Sequence, residues 1–187
     1  EVVNLTLEFY RRNMIEGLFL SSGIIRSPDQ TMADMVRIAR TLRQDHGFKG
    51  YIHLKTIPDA SPELIDAAGL YADRLSINIE LPQDESVRRL APEKRPETIR
   101  TAMARVKGAR EASRDRSHTG KRPARFAPAG QSTQMIVGAD AATDSDIMLR
   151  ADGLYRHGAR RRRNFGGACG GKVRHSVYAF HHVHLLD

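Results

Sequence analysis

One pattern limits what this chain can fold into: a short apolar run, a polar turn and a helix, repeated along the sequence. Ile15–Leu20 reads as a short buried strand, and Tyr51–Thr56 and Leu75–Leu81 read as further strands. Ser27-Pro28 and Ser61-Pro62 each open the helix that follows, with Ser at the N-cap and Pro at the first helical position. Strand starts recur at roughly the 30-residue spacing of a βαβ unit. Such units build a parallel sheet, and the right-handed crossover rule lays consecutive strands side by side. An α/β fold is therefore expected.

The remaining elements fit between these. Glu1 to Arg12 carries Val2, Leu5 and Phe9 at helical spacing and reads as the end of an amphipathic helix. The helix after Ser27 runs to about His46, with Met32, Met35, Val36, Ile38, Ala39 and Leu42 as its apolar face, and Gly47 ends it. Helices are predicted over 62–72, 84–90 and 96–114. Gln131–Gly138 restores the strand pattern, and Thr143 or Asp144 caps a helix over 146–155.

Composition bounds the function. The chain has 187 residues, 40% of them hydrophobic, enough for one domain with a core. No apolar run reaches the length of a bilayer span and no stretch reads as a signal peptide. A single cysteine, Cys169, excludes an internal disulfide and a cysteine-only metal site. A cytoplasmic protein is expected. The net charge of +8 and a pI near 10.1 suggest an anionic partner, nucleic acid first, and leave a solvated basic surface equally open.

The charge is concentrated. Between Pro92 and Pro123 the chain is rich in Arg and Lys and poor in large apolar residues. Lys107, Arg110, Arg114, Lys121, Arg122 and Arg125 are the candidate phosphate contacts, which would make binding salt-dependent. The alternative is an exposed helix laced with i,i+4 charge pairs. After Tyr155 the amphipathic period is lost: Arg160–Arg163 is an unbroken basic run, and glycines flank Cys169. Residues 157–187 read as a disordered tail or a read-through in the wrong frame. Cys169 with His181, His182 and His184 fits no standard metal-site spacing.

Ligands of parallel α/β sheets bind beyond the carboxyl ends of the strands. The first strand ends in Ser21, Ser22 and Gly23, whose hydroxyls and backbone amides suit a small polar ligand. The second adds His53, Lys55 and Thr56. The third offers Asn78 and Glu80, two apart and so on one face. The fourth offers Gly138 and Asp140. A carboxylate and an amide on one face suit ribose hydroxyls or an amino group.

Several long blocks match one family in order. They are Glu1-Val-Val-Asn-Leu-Thr-Leu-Glu-Phe-Tyr, Gly17-Leu-Phe-Leu-Ser-Ser-Gly-Ile-Ile-Arg-Ser, Gly50-Tyr-Ile-His-Leu-Lys-Thr-Ile-Pro, Leu75-Ser-Ile-Asn-Ile-Glu-Leu-Pro, Leu90-Ala-Pro-Glu-Lys, and Arg125-Phe-Ala-Pro-Ala-Gly-Gln-Ser-Thr-Gln-Met-Ile-Val-Gly-Ala-Asp. Over about residues 1 to 156 the chain resembles the DNA modification/repair radical SAM proteins, often encoded beside a uracil-DNA glycosylase-like protein.

The resemblance implies a partial (β/α)6 barrel over 1–156, with a basic helical insertion at about 92–124. It implies S-adenosylmethionine and a [4Fe–4S] cluster, and a 5′-deoxyadenosyl radical as oxidant of a substrate, with DNA the favoured nucleic acid. Ser21, Ser22 and Gly23 take the place of the family's Gly-Gly-Glu-type turn at the methionyl amino group, without its Glu. Asn78 and Glu80 would lie at the ribose or methionyl end. Ile136-Val-Gly-Ala-Asp140 with Thr143 and Asp144 resembles the Ile-Val-Gly-x-x-x-x-Thr-Asp motif beside the adenine. The family's Cys-x-x-x-Cys-x-x-Cys cluster motif is not in this sequence, so the chain is expected to be a fragment beginning at the family's second strand. Two rivals remain: a non-catalytic nucleic-acid-binding module, and an ordinary (β/α) barrel enzyme with a phosphate-bearing substrate.

Overall fold

The computed structural model describes residues 1–114, 125–148 and 150. Four strands, β1 (Gly17–Leu20), β2 (Tyr51–Lys55), β3 (Arg74–Ser76) and β4 (Gly130–Ser132), form one parallel sheet in the order β1-β2-β3-β4. Helices α1 (Val2–Arg11), α2 (Pro28–Arg40), α3 (Pro62–Tyr71), α4 (Asp84–Leu90) and α5 (Pro96–Arg114) connect and cover them. The chain is thus α/β with sequential parallel strands. Among the described residues no helix is long and apolar enough to cross a membrane.

Local signals account for the helix ends. Ser27 caps α2 by accepting from the Gln30 N–H at 3.1 Å, with Pro28 behind it. α2 runs into a π-helical turn, Thr41–Asp45, and Gly47 follows at φ +59, where a glycine meets no Cβ penalty. Ser61 makes no side-chain cap; its N–H instead donates to Asp29 Oδ1 at 2.6 Å, tying the start of α3 to the first turn of α2. Thr143 and Asp146 cap one another, Thr143 N–H to Asp146 Oδ2 at 2.8 Å and Asp146 N–H to Thr143 Oγ1 at 3.3 Å.

The core lies between the sheet and α2, α3 and α5. Ile52, Leu54 and Leu75 from the strands meet Met32, Met35 and Ala39 of α2, Ile65 and Ala68 of α3, and Ile99, Met103 and Val106 of α5. Gly69 lets the Phe126 ring lie against α3, because a Cβ there would collide with the ring.

Four expectations change. β1 pairs only with β2 in this sheet, so the first strand is an edge, and Phe19 is 49% exposed rather than buried. In α1 the buried residues are Thr6 and Leu7, with Val3 and Tyr10 half-buried, while Leu5 and Phe9 face outward. The third strand is regular only over Arg74–Ser76, and further on Glu80 takes φ +63. The fourth is regular only over Gly130–Ser132, with an isolated bridge from Met135 to Glu80. Pairing between these two segments continues irregularly through Ile77 N–H to Ser132 O and Ile79 N–H to Gln134 O. The expected basic loop, Lys121, Arg122, Cys169 and the tail lie outside the described residues.

Candidate functional site

Register decides which side chains share a surface. Phe19, His53, Arg74 and Gly130 stand opposite one another across the four strands, and Lys55, Ser76 and Ser132 form the next such row. Neighbours in register share a face, and alternate residues repeat it. One face is therefore apolar and lies under the helices. The other carries Tyr51, Phe19, His53, Lys55, Arg74, Ser76 and Ser132. Asn78 continues this face, because Ile77 and Ile79 on either side are fully buried.

Within this polar face His53 is 8% exposed. Its ring meets Phe19 edge-on, with centroids 4.7 Å apart. Its Nε2 has no hydrogen-bond partner. Burial, and then the Arg74 charge, push its pKa from 6.5 down to about 4, so the imidazole is neutral at pH 7. Arg74 Nε donates to the Tyr51 hydroxyl at 2.8 Å.

The carboxyl-terminal edge gathers the sequence candidates. After β1, Ser21 and Gly23 are exposed and the Ser22 hydroxyl donates to Gly23 O at 2.8 Å. At β2, Lys55 is half-buried and the Thr56 hydroxyl is buried without a partner. Beyond β3, Asn78 and Glu80 are half-buried. Glu80 holds a left-handed backbone, a conformation that costs a non-glycine residue about 1–2 kcal/mol. Its carbonyl accepts from the Ile136 N–H at 2.7 Å, which brings the two final loops together. Gly138 follows at φ +81. Asp140 Oδ1 accepts from the Ala142 N–H at 3.0 Å, and its Oδ2 is buried without a partner.

The four expected strand ends thus lie along one edge. Strain at Glu80 and unpartnered oxygens on Thr56 and Asp140 lie there too. Arg74 is not among the sequence candidates, and the alternation of Arg74, Ser76 and Asn78 places it on this face. A groove of about 410 Å3 lies instead by α1 and the π turn, lined by Asn4, Leu7, Glu8, Arg11, Arg12 and His46. It is away from these strand ends, because α2 runs back along the sheet to reach His46.

On α5, Arg110 is half-buried and Arg114 exposed, and Arg125 is exposed beyond the helix. Arg105 does not join them as a free cation: it holds Asp66 of α3 in a two-pronged ion pair. Among the described residues no group of three or more His, Cys, Asp or Glu side chains could hold a metal ion.

Compared with known proteins, the chain matches no family model, no curated protein and no solved structure.

Proposed function

We propose that this chain forms the S-adenosylmethionine-binding part of a radical SAM enzyme that acts on nucleic acid, DNA by preference. The observation that carries it is the strained, half-buried Glu80 at the carboxyl edge of a sequential parallel sheet. Strain at a strand end is retained where the side chain or backbone has work to do. The surrounding groups suit the ligand. Ser21, Ser22 and the Gly23 turn offer hydroxyl oxygens to the methionyl amino group. Glu80 and Asn78 offer a carboxylate and an amide to the ammonium or ribose. Lys55, Thr56 and Asp140 line the neighbouring strand ends, and Gly138 leaves open backbone for an adenine.

The residues present do not fit a [4Fe–4S] cluster, which takes cysteine thiolates. Among the described residues there is no cysteine, and Cys169 alone could not supply a set. Cluster ligands would have to come from outside these 187 residues, and no radical step is derived from this chain. The partial (β/α)6 barrel belongs to the same proposal, as does a uracil-DNA glycosylase-like partner.

Thermal unfolding with and without S-adenosylmethionine tests this function. Protection by S-adenosylmethionine that Glu80→Ala removes is the expected result. Absence of protection overturns the proposal, and protection that Glu80→Ala leaves unchanged removes Glu80 from the site. The nucleic-acid half has its own readout: single-stranded DNA affinity should fall steeply between about 50 and about 200 mM salt.

A further inference from the structure

The two faces of the sheet differ in what they meet. Helices α2, α3 and α5 pack on Ile52, Leu54 and Leu75. The opposite face carries Phe19, Tyr51, His53, Lys55 and Arg74. Two aromatic rings on it stay open to solvent: Phe19 is 49% exposed and Tyr51 41%. Apolar rings grouped on one face, unlike rings scattered singly, mark an interaction surface. Both are held in place. The Phe19 ring meets His53 edge-on at 61°, with centroids 4.7 Å apart. The Tyr51 hydroxyl accepts from Arg74 Nε at 2.8 Å, which ties the guanidinium to the phenol. Gly17 stands opposite Tyr51 in β1, where a Cβ would collide with Tyr51, so the first strand puts no side chain beside that ring.

The charge on this face has one sign. The four strands contain no Asp or Glu, while Lys55 and Arg74 both stand on the open side. Among the described residues neither forms an ion pair. The chain as a whole carries +8. Open rings beside unpaired cations fit a partner that joins flat apolar surface to negative charge. An acidic peptide would neutralise Lys55 and Arg74 but leave the rings uncovered. A polynucleotide satisfies both, since each base has a π-face and each link a phosphate. Its bases must be unpaired, because in a duplex their faces are stacked on one another. We propose that the open face of the sheet binds single-stranded nucleic acid, with bases stacked on Phe19 and Tyr51 and phosphates at Lys55 and Arg74. Strand aromatics on an open sheet are an established platform for stacking bases. The inference rests on the nucleic-acid half of the proposed function, adds base contacts to the phosphate surface of α5, and does not require S-adenosylmethionine.

Fluorescence anisotropy of the full chain with a labelled oligothymidylate, and with an abasic strand of the same length, tests it. The abasic strand keeps the phosphates and lacks the bases. Oligothymidylate is expected to bind about tenfold tighter or more. Phe19→Ala and Tyr51→Ala should each weaken it about fivefold or more and leave the abasic strand unaffected. Phe19→Leu keeps apolar volume without a π-face and should show a similar loss, which keeps the test open if an Ala variant fails to fold. Leu70→Ala, on the exposed side of α3, should bind as the parent does. Equal binding of the two strands, or affinity that survives both Ala variants, overturns the proposal and leaves nucleic-acid binding to α5. Thymidine monophosphate that competes as strongly as the strand also overturns it, in favour of a free nucleotide. Binding of neither strand overturns it together with the nucleic-acid half of the proposed function. Thermal protection by S-adenosylmethionine is a separate readout that none of these outcomes decides.

Discussion

Arg43 is the residue whose loss should be felt most widely outside the apolar core. It leaves the π-helical turn after α2 and crosses to the start of the sheet. Its Nη1 donates to Phe48 O at 2.7 Å and to Gly50 O at 2.8 Å, and its Nε to Tyr71 O at 3.1 Å. Its Nη2 meets Asp73 Oδ2 at 2.6 Å, and the same oxygen accepts from the Ile52 N–H at 2.8 Å. One side chain therefore ties together the ends of α2 and α3 and the starts of β2 and β3. The carbonyl bonds contribute about 1 kcal/mol each, and the partly exposed ion pair adds about 1 kcal/mol or less. The side chains of Arg43 and Asp73 are 22% and 30% exposed, so water can reach part of the site and soften the loss. Arg43→Ala is expected to destabilise the chain by about 3 kcal/mol, which lowers Tm by roughly 6–12 °C for a domain of this size. Asp73→Asn keeps an acceptor for the Ile52 N–H and should cost about 1 kcal/mol. Urea unfolding followed by circular dichroism measures both. A midpoint shift of less than about 1 kcal/mol for Arg43→Ala, with an unchanged slope, would refute this account of how the sheet is anchored.

Three other outcomes follow from the same structure. His53 has its pKa lowered to about 4, so its neutral form is the one the fold favours; the stability it adds is complete above pH 6.5 and is lost as the pH falls toward 4. At about 1.36 kcal/mol per pH unit, that loss reaches at most about 3 kcal/mol, and His53→Gln should flatten stability against pH in this window. Gly69→Ala places a Cβ against the Phe126 ring and should cost about 1–3 kcal/mol in urea unfolding; no change would mean that Phe126 does not pack there. Glu80→Gly relieves a left-handed backbone at φ +63, so it should raise stability by about 0.5–1 kcal/mol while abolishing S-adenosylmethionine protection; a loss of stability would argue against stored strain.

Much of the frame was legible in the residues. Ser27-Pro28 marks the start of α2 because a hydroxyl cap and a fixed φ act within one turn. The bounds of α4 and α5 follow from local signals of the same kind: acidic residues open both helices and a proline starts α5. The order of the parallel strands follows from the crossover rule once each βα unit is recognised. The grouping of the strand ends from Ser21 to Asp140 at one edge is legible as well, because a parallel sheet brings its carboxyl ends together whatever the side chains are.

Other features depend on partners far along the chain. Phe19 reads as a buried strand residue, but exposure is set by which neighbours flank β1, not by its own hydropathy. The left-handed Glu80 lies beyond the end of β3, where Ile79 pairs with Gln134 and Glu80 with Ile136, and no local propensity calls for it. Arg43 and Asp73 are 30 residues apart, and Arg105 and Asp66 are 39 apart. Arg110 lies against Gly130 only because β4 returns beside β3 with a glycine at its first position. By itself the sequence determined the order of the strands and where α2, α3, α4 and α5 begin, since caps, turns and periodicity act over a few residues. Only the tertiary structure decided which charged side chains are paired, because register and packing between distant segments set those distances.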